Sequence, residues 1–389
     1  MANKNLGKAK TEKNDEFYTQ YADIQQEMNA YIEYDPDVFR DKTILLPCDD
    51  PEWSNFTKFF AQNFEQYGIK KLISTSYAPE SKKIKAWQPT LFETENPHFD
   101  ADKSKTHGKI FILDKDTNGN GKIDIEDLQW DYLEGDGDFR SAEVRALRDE
   151  ADIIITNPPF SLFREFFVWV TDAQKQFIMI GNINAVSYKE VFPYIRNQQI
   201  WLGSTYFNGG AAFFIGDPNN YDPTKMSSAK NAYFKDGQFL WRVNGVRWYT
   251  NIDHGRRHHP LDLMTMEDNI MFSKHKEVKN IGYVKYENYD ALEVPYVDAI
   301  PIDYDGIMGV PRSFLDKYCP EQFEILGVDS TDFSEELGIA PIGEEWILKY
   351  KACGGTGHMT ANMRNLVIID NGVPKISYAR ILIRKRKQQ

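Results

Sequence analysis

Residues 42–205 alternate short apolar runs with stretches of helical periodicity, and this pattern limits the possible folds more than any other feature. The apolar runs are KTILLPC (42–48), KKLISTSY (70–77), GKIFILD (108–114), ADIIITN (151–157), KQFIMIGN (175–182) and IWLGST (200–205). Helical patterns lie between several of them, at residues 53–68, 141–150, 161–173 and 188–197. Such alternation predicts an α/β fold with a mostly parallel sheet flanked by helices. Ligands of these folds bind beyond the carboxyl ends of the strands, so the residues after each strand are the candidates for a site.

The pattern changes after residue 205, and a chain of 389 residues is long for a single core. AAFFIG (211–216) and VRWYTNID (246–253) still predict strands. From residue 255 the sequence is rich in aromatic and turn-forming residues and has little periodicity. We therefore predict two domains, residues 1–255 and 256–389, of which the second is a mixed α+β unit, with a β-rich unit as the alternative.

The composition is that of a water-soluble globular protein, with 41% hydrophobic and 27% charged residues. No run of about 18 apolar residues occurs, and the N-terminal residues lack the apolar core of a secretory signal. Three widely separated cysteines, Cys48, Cys319 and Cys353, have no zinc-binding spacing and favour a reducing compartment. We expect a cytoplasmic protein that does not act on a membrane.

The segment Asn157, Pro158, Pro159 and Phe160 directly follows a run of four β-branched residues. Proline fixes φ and has no N–H, so the backbone here is stiff. The side-chain oxygen of Asn157 and the carbonyl of Pro158 are two acceptors that can bind both hydrogens of an exocyclic amine, and Phe160 offers a face for a planar ring. The segment predicts a site for adenine N6, cytosine N4 or a glutamine amide. The alternative is a polar turn with Phe160 in the core.

The first predicted strand ends in PCDDP, residues 47–51, just before a predicted helix. Free amides and the macrodipole make a helix N-terminus a favourable site for anions and carboxylates. Asp49 or Asp50 is therefore a candidate acceptor for an amine or a ribose hydroxyl, and the alternative is a simple helix cap. The glycine-rich dinucleotide fingerprint is absent.

Basic residues are concentrated in three places, although the net charge is −12. These are residues 1–13, HGRRHH (254–259) and the C-terminal residues 380–387. The overall charge disfavours a nucleic-acid partner, but the distribution matters more. Arg256 and Arg257 are candidates for contacts with phosphates or guanine edges, and Lys385 and Arg386 for contacts with phosphates. The alternatives are pairing of the two arginines with acids, and solvated, disordered tails.

Residues 116–127, DTNGNGKIDIED, match the spacing of an EF-hand calcium loop. Calcium takes oxygen ligands from such a loop, and a glycine at the sixth position makes the turn. The sequence therefore predicts a structural calcium ion, and the alternative is an Asn-Gly surface turn. The candidate ligands are Asp116, Asn118, Asn120, Lys122 and Asp127.

Seven segments carry a resemblance that covers nearly the whole chain. They are KNDEFYTQYADI (13–24), CDDPEWSNFTKFF (48–60), GDGDFRSAE (135–143), NPPFSLFREF (157–166), HGRRHHPL (254–261), GIMGVPRSFLDKYCPEQFEILG (306–327) and YARILIRKRK (378–387). Together they resemble the EcoRI-type adenine-specific DNA methyltransferases. The resemblance implies a Rossmann-like class I methyltransferase domain that uses S-adenosylmethionine, followed by a domain that recognises double-stranded DNA. It also implies a cognate restriction endonuclease as a possible partner.

The resemblance further implies roles for individual residues. Asn157, Pro158, Pro159 and Phe160 would hold an adenine flipped out of the duplex for methylation at N6. No acid ends the second strand, so the cofactor ribose would fall to Asp49, Asp50 or a hydroxyl. Two alternatives remain: a catalytically idle nucleic-acid-binding relative, and an RNA or protein-amide methyltransferase that shares Asn-Pro-Pro-Phe. The implied cofactor contacts are Tyr18, Thr19, Cys48, Asp49, Asp50, Pro51, Asn55, Ser76, Asp138, Phe139 and Asn157. Among them Asp138 would bind N6 of the cofactor adenine and Phe139 would stack on its ring, and the alternative is a Gly-Asp turn before a helix.

Overall fold

The computed structural model describes residues 18–50, 54–79, 91–207, 210–214, 232–235, 238–370, 372–377 and 379–387. The chain divides into two compact units. The N-terminal unit comprises Met1–Asn182 and Leu202–Gly255, and the C-terminal unit comprises Ile183–Trp201 and Arg256–Gln389. The break after Gly255 lies where the sequence pattern changes, whereas Ile183–Trp201, which that pattern assigns to the first domain, belongs to the C-terminal unit. Among the described residues, no helix has the length and apolar character needed to cross a bilayer.

The N-terminal unit contains seven helices among its described residues and eleven strands. The helices are α1 (Tyr21–Tyr34), α2 (Asn55–Gln62), α3 (Phe64–Tyr67), α4 (Leu91–Thr94), α5 (Lys103–Thr106), α6 (Ala142–Glu150) and α7 (Phe163–Asp172). The strands are β1 (Thr43–Leu46), β2 (Lys71–Thr75), β3 (Lys109–Leu113), β4 (Gln129–Tyr132), β5 (Ile153–Thr156), β6 (Gln176–Asn182), β7 (Trp201–Tyr206), β8 (Ala211–Phe214), β9 (Ala232–Lys235), β10 (Gln238–Val243) and β11 (Val246–Thr250).

Eight of these strands form one sheet in the order β4-β3-β2-β1-β5-β6-β11-β7. Its centre, β2-β1-β5-β6, is parallel. Antiparallel strands extend it, with β3 against β2, β4 against β3 and β11 against β6. Because the chain leaves β1 towards β2 and returns as β5 on the opposite side, the order of strands reverses between β1 and β5. The predicted α/β fold with a mostly parallel central sheet is confirmed.

The central strands form because their residues are apolar without alternation. All four residues of β1 and of β5 are buried, as expected for a parallel sheet covered on both faces. Helix α2 packs Phe56, Phe59 and Phe60 into the same core cluster as Ile44 and Ile153. The core therefore surrounds β1 and β5 and leaves only their carboxyl ends to polar residues.

A separate three-stranded antiparallel sheet has the order β8-β10-β9.

The C-terminal unit is of mixed α+β composition, as predicted. Its helices are α8 (Phe192–Arg196), α9 (Met266–Phe272), α10 (Lys276–Ile281) and α11 (Glu344–Ala352). Its strands are β12 (Val284–Lys285), β13 (Leu292–Glu293), β14 (Met308–Pro311), β15 (Phe323–Val328), β16 (Val367–Asp370), β17 (Val373–Ile376) and β18 (Arg380–Lys385). Five strands form a sheet in the order β12-β13-β14-β18-β15, and β16 pairs with β17. Phe192 of α8 packs on Phe333 with ring centroids 5.0 Å apart, which places α8 in this unit.

The basic C-terminal segment is an internal strand of this sheet. Strand β18 pairs antiparallel with both β14 and β15. Ile381, Leu382 and Ile383 are fully buried, because this apolar run lies between the basic residues that flank it. The alternative of a disordered, solvated tail is therefore wrong for Arg380–Lys385.

Candidate active site

Turns at the ends of three neighbouring parallel strands lie at one edge of the N-terminal sheet. Asp49 follows β1, Ser76 follows β2 and Asn157 follows β5. The strand order reverses between β1 and β5, and ligands of open α/β sheets bind at such a switch point. The structure thus brings together, at the expected edge, segments that are far apart in the sequence.

The Asn-Pro-Pro-Phe segment connects β5 to α7 without a flexible loop. Asn157 is only 7% exposed and Pro158 is also buried. A short 3₁₀ turn, Phe160–Leu162, follows at once and is closed by the Leu162 amide donating to the Pro159 carbonyl at 2.9 Å. Because helix α7 begins at the next residue, the Asn157 side chain and the Pro158 carbonyl are carried by a rigid strand–turn–helix connection.

The ring of Phe160 is half-buried. Its centroid lies 6.0 Å from that of Phe213 on β8, with the two planes at 66°. The ring also packs against the core cluster of the N-terminal unit. Phe160 is therefore anchored in the core, as expected of the polar-turn alternative, and is still partly accessible to a planar ligand, as expected of an amine-binding site.

Asp49 is buried, at 3% exposure, and links four elements. Its Oδ1 accepts a hydrogen bond from Ser54 Oγ at 2.8 Å, and its Oδ2 accepts one from Thr156 Oγ1 at 2.7 Å. Its backbone amide donates to the Thr75 carbonyl at 3.1 Å, and its own carbonyl accepts from Ser74 Oγ at 2.5 Å. The sequence places Asp49 among the cofactor contacts, but in the structure both carboxylate oxygens serve protein hydroxyls, because a buried charge must be hydrogen-bonded.

The neighbouring Asp50 differs from Asp49 in its environment. It is half-exposed, and its carbonyl accepts from the Ser54 amide at 2.6 Å at the start of α2. The charge of Asp50 counteracts the lowering of the Lys58 pKa that burial causes. Of the two acids predicted at this turn, Asp50 is the one that a solvent-borne ligand can reach. Pro51, the next predicted contact, lies outside the described residues.

Tyr18 and Thr19, two of the implied cofactor contacts, lie against the start of α2. Asn55 Nδ2 donates to the backbone carbonyl of Thr19 at 2.8 Å, and the half-buried Tyr18 directly precedes Thr19. Thr19 is 2% exposed, and its Oγ1 has no hydrogen-bond partner among the residues that the structure describes. Buried hydroxyls are normally paired, so this one is a candidate partner for a bound ligand.

Two glycines bring a loop against the end of β2. A Cβ on Gly137, whose φ is +80°, would lie 2.1 Å from the carbonyl oxygen of Ser76, and one on Gly108 would lie 2.5 Å from it. The Ala78 amide also donates to the Asp136 carbonyl at 2.7 Å. Only glycine permits this approach, and it delivers Asp138 to the same edge of the sheet. Ser76 itself is 3% exposed and accepts from the Lys109 amide at 3.1 Å, which ties β2 to β3.

Arg140 holds the predicted adenine-binding acid, a contact that the sequence interpretation missed. It donates from Nε to Asp138 Oδ1 at 2.9 Å and from Nη2 to Asp138 Oδ2 at 2.6 Å, and its Nη1 reaches Glu165 of α7 at 3.0 Å. Hydrogen bonds to Asp138 raise the pKa of the guanidinium above its ordinary value. An Asp and an Arg two residues apart in the sequence are the signal from which this ion pair could have been predicted.

Phe139, the predicted stacking partner of the cofactor adenine, is a core residue in this structure. It is 5% exposed and makes edge contacts with Phe166 and Trp169, at centroid distances of 5.2 and 5.6 Å. Cys48, a further predicted contact, is a half-buried cysteine directly before Asp49.

In the C-terminal unit, the two predicted DNA-binding segments are attached to one turn, residues 319–323. His258 Nδ1 lies 2.9 Å from Glu321 Oε1, and the Gln322 side chain both donates to and accepts from the backbone of Leu261. Arg386 donates from Nε to the Pro320 carbonyl at 2.6 Å. HGRRHH and the basic C-terminus, which are separate in the sequence, therefore meet through this turn.

The predicted DNA contacts differ in their surroundings. Arg256 and Arg257 are half-exposed, and the Arg257 guanidinium lies 3.6 Å from the centre of the Trp201 ring. Lys385 pairs with Asp305 at 3.0 Å and also donates to a backbone carbonyl. Lys385 and Arg386 thus have structural partners that the sequence interpretation did not foresee.

The structure does not support the predicted calcium site. The two carboxylate oxygens of Asp116 accept from the amides of Gly119 and Gly121, at 2.6 and 2.8 Å. Both oxygens of Asp127 also accept from backbone amides, at 2.7 to 3.1 Å. The amide oxygens of Asn118 and Asn120 accept from the amides of Asn120 and Lys122. In the described part of the chain no three His, Cys, Asp or Glu side chains converge to hold a metal ion.

Comparison with known proteins identifies a family. The family described as adenine-specific methyltransferase EcoRI matches residues 5–386. The chain is similar to type II methyltransferase M.EcoRI of Escherichia coli, with 38% identity over 336 residues that cover 85% of this chain and 92% of that protein. It is also similar to M.MpnI of Mycoplasma pneumoniae, with 34% identity over 322 residues that cover 82% of this chain and 84% of that protein. No solved structure matches at a significant level.

The family match spans both units and includes every segment at the edge of the sheet. The Asn-Pro-Pro-Phe turn ends a central parallel strand at the switch point of the sheet. We conclude that the protein belongs to the EcoRI family of adenine-specific methyltransferases.

Proposed function

We propose that the protein is a sequence-specific DNA adenine N6-methyltransferase that uses S-adenosylmethionine. The observation that carries the proposal is the position of Asn157 and Pro158, buried at the carboxyl end of β5, in a chain of this family. Sequence-specific binding to double-stranded DNA, a cytoplasmic location and a cognate endonuclease as partner are parts of the same proposal.

Asn157 and Pro158 act on the amine. The lone pair of adenine N6 is delocalised into the ring, which makes the nitrogen a weak nucleophile. Asn157 Oδ1 and the Pro158 carbonyl accept its two hydrogens and favour a pyramidal nitrogen with a localised lone pair, which stabilises the transition state. Burial of both residues keeps water away and strengthens these hydrogen bonds.

Phe160 receives the base. An adenine inside a duplex cannot reach Asn157, which is 7% exposed, so the target base must be flipped out of the double helix. The half-buried Phe160 ring offers a face for it, and the contact with Phe213 holds that ring in place.

The residues at the sheet edge fit the cofactor. S-adenosylmethionine supplies an electrophilic methyl group when bound. Thr19 offers a buried hydroxyl, Asp50 an accessible acid for the ribose hydroxyls, and Asp138 a half-buried carboxylate that Arg140 holds in place. These features support a cofactor site between α2 and the loop that carries Asp138. Contacts by Tyr18, Cys48, Pro51, Asn55, Ser76 and Phe139 remain predictions.

The C-terminal unit is proposed to bind the DNA. Arg256 and Arg257 stand on a surface fixed to residues 319–323, to which Arg386 is also attached. Phosphate contacts by these cations predict an affinity that falls steeply with salt concentration. Lys385 is expected to contribute less, because Asp305 already pairs with it.

Asn157→Ala tests the proposal. We expect loss of adenine methylation of duplex DNA while calorimetric titration still shows cofactor binding, because the variant removes only one acceptor for the amine. Asn63→Ala is the matched control, since Asn63 is a half-buried asparagine after α2 whose side chain, in the described contacts, donates only to the Phe59 carbonyl of that helix. Near wild-type turnover by Asn157→Ala, or methylation of RNA in preference to duplex DNA by the wild type, would contradict the proposed function.

A further inference from the structure

We propose that Asp49 is a positioning residue for Asn157 and acts through the hydroxyl of Thr156. The inference rests on the proposed function, since it assigns how the amine-binding side chain is held. It gives Asp49 a role different from the cofactor contact that the family resemblance implies.

The contact lies where the backbone pairing of β5 with β1 stops, while its pairing with β6 continues through Thr156. Strand β1 pairs with β5 at Ile44 with Ile153 and at Leu45 with Ile154, and the described register ends there. Thr156 is the last residue of β5 and directly precedes Asn157. On the side of β5 that faces β1, the hydrogen bond of 2.7 Å from Thr156 Oγ1 to Asp49 Oδ2 replaces the missing ladder. Any movement of Thr156 therefore moves Asn157.

Asp49 can serve as an anchor because it is itself held from two other elements. Ser54, the N-cap of α2, donates to its second carboxylate oxygen. Strand β2 holds its backbone through the Thr75 carbonyl and the Ser74 hydroxyl. Ser74 in turn is 2.8 Å from the Thr57 hydroxyl of α2. The network ties β1, β2 and α2 to the end of β5.

All five polar side chains of this network are 3% exposed or less: Thr57, Ser74 and Thr156 are fully buried, Ser54 is 1% exposed and Asp49 is 3% exposed. A buried carboxylate costs free energy that an apolar pair of the same size would not. The carboxylate fixes the orientation of the Ser54 and Thr156 hydroxyls, because each of its oxygens accepts one of them along a defined direction. A reacting group needs such placement, since a misplacement of about 1 Å costs roughly 100-fold in rate.

The test compares two threonines that end neighbouring strands. Thr156→Val removes the hydroxyl that binds Asp49 and keeps the shape of the side chain. Thr75→Val is the matched control, because Thr75 is equally buried and its hydroxyl bonds the Pro47 carbonyl at 3.2 Å instead. For Thr156→Val we expect kcat to fall about 10- to 100-fold, with KM for cofactor and DNA within about 3-fold. Thr156→Ser, which restores the hydroxyl, and Thr75→Val should both stay within about 3-fold of wild type.

A second measurement needs no catalysis. Amide hydrogen exchange over residues 153–163 of the free protein should be faster in Thr156→Val than in wild type or Thr75→Val. Thr156→Ala, which also removes the hydroxyl, carries the same two tests if Thr156→Val does not fold. The double variant Thr156→Val/Asp49→Ala should be no slower than Asp49→Ala alone, because Asp49→Ala already removes the acceptor of the Thr156 hydroxyl.

Near wild-type kcat in Thr156→Val would overturn the positioning role. So would a kcat for Thr156→Ser as low as that of Thr156→Val, because the hydroxyl would then not be what matters. If wild type methylates no adenine in duplex DNA while the exchange difference over residues 153–163 is present, the proposed function fails and the anchoring of Asn157 by Asp49 stands.

Discussion

Each unit of the protein buries a carboxylate beside its sheet, but the two carboxylates are satisfied in different ways. Asp49 in the N-terminal unit receives neutral hydroxyls, from Ser54 and Thr156. Glu293 in the C-terminal unit, 5% exposed, accepts from the hydroxyls of Tyr286 and Ser377 and, in addition, from the guanidinium of Arg380, with Nη2 at 2.5 Å from Oε1 and Nε at 3.1 Å. Asp49 holds the end of β5 next to the candidate site, and Glu293 neutralises Arg380, the first residue of β18.

The difference separates two uses of buried charge. Hydroxyl donors orient the carboxylate, at the cost of its desolvation. A guanidinium pair is compensated as long as both partners are present, and becomes strongly unfavourable when one is removed. The C-terminal unit therefore depends on this pair for stability, whereas the pairing at Asp49 concerns placement of the site.

Removal of one partner from the ion pair gives the largest expected effect on stability. Glu293→Gln leaves the charge of Arg380 buried, since Arg380 is largely inaccessible, and should lower the free energy of unfolding by about 3–5 kcal/mol. Urea unfolding measures it. Glu293→Leu/Arg380→Met should recover only part of the loss, because the buried hydroxyls of Tyr286 and Ser377 also lose this acceptor. Lys285→Gln, which removes the exposed pair with Asp290, should have no measurable effect. Equal stability of Glu293→Gln and wild type would break the comparison.

Asp329 provides a carboxylate with neutral donors inside the C-terminal unit. Burial raises its pKa from 3.8 to about 6, only partly offset by long hydrogen bonds from the Leu366 amide and Ser334 Oγ, at 3.2 and 3.3 Å. The folded state therefore binds the proton before the unfolded state does, and the contribution of this group to stability falls as pH rises from about 4 to about 6. The loss is on the order of 2–3 kcal/mol.

Unfolding free energies measured across this pH range test the assignment. Asp329→Asn stays neutral, so it should remove this part of the pH dependence and be more stable than wild type above about pH 7. An unchanged pH profile in Asp329→Asn would show that another group titrates there.

Asp127 is a third carboxylate with neutral donors, in the loop of residues 116–127. Its two oxygens accept from four groups, the amides of Thr117, Asn118 and Asp124 and the Thr117 hydroxyl. Asp127→Ala should lower the melting temperature by about 2–4 °C, the shift typical of a lost cap in a unit of this size. Wild type should melt alike with calcium and with a chelator, and stabilisation by calcium would restore the metal interpretation.

The pair of Arg140 and Asp138 is the exposed counterpart of Arg380 and Glu293, and gives the smallest expected effect. The Arg140 side chain is 46% exposed and that of Asp138 is 21% exposed, so the pair should contribute less than about 1 kcal/mol to stability. Arg140→Met should raise KM for the cofactor by about 2- to 5-fold with kcat unchanged, because Asp138 loses its orientation. A fall in kcat at unchanged KM would point to a role at the reacting amine instead.

Several parts of the structure could be predicted from local sequence. Strands β1, β2 and β5 lie inside the predicted runs, because apolar residues bounded by polar turns report burial directly. The place of Asn157 after a buried strand followed from the same pattern. Gly137 is a comparable case, since a glycine between two aspartates indicates a turn and the structure shows why only glycine fits.

Other parts depended on contacts that no local pattern carries. Thr156 reaches Asp49 across 107 residues of sequence, and β18 reaches Glu293 across a similar separation. The acidic loop of residues 116–127 has the spacing of a calcium site, but backbone amides already bind its oxygens. Spacing reports which residues are available, and not which hydrogen bonds they make.

The sequence by itself determined the alternation of strands and helices and the position of the Asn-Pro-Pro-Phe turn, because both follow from apolar patterning and backbone stiffness over a few residues. Only the tertiary structure decided which of two adjacent aspartates is buried and that the basic C-terminus forms an internal strand. Those outcomes depend on which distant groups meet at the end of each strand, and a buried charge takes the partners that folding places within hydrogen-bond distance.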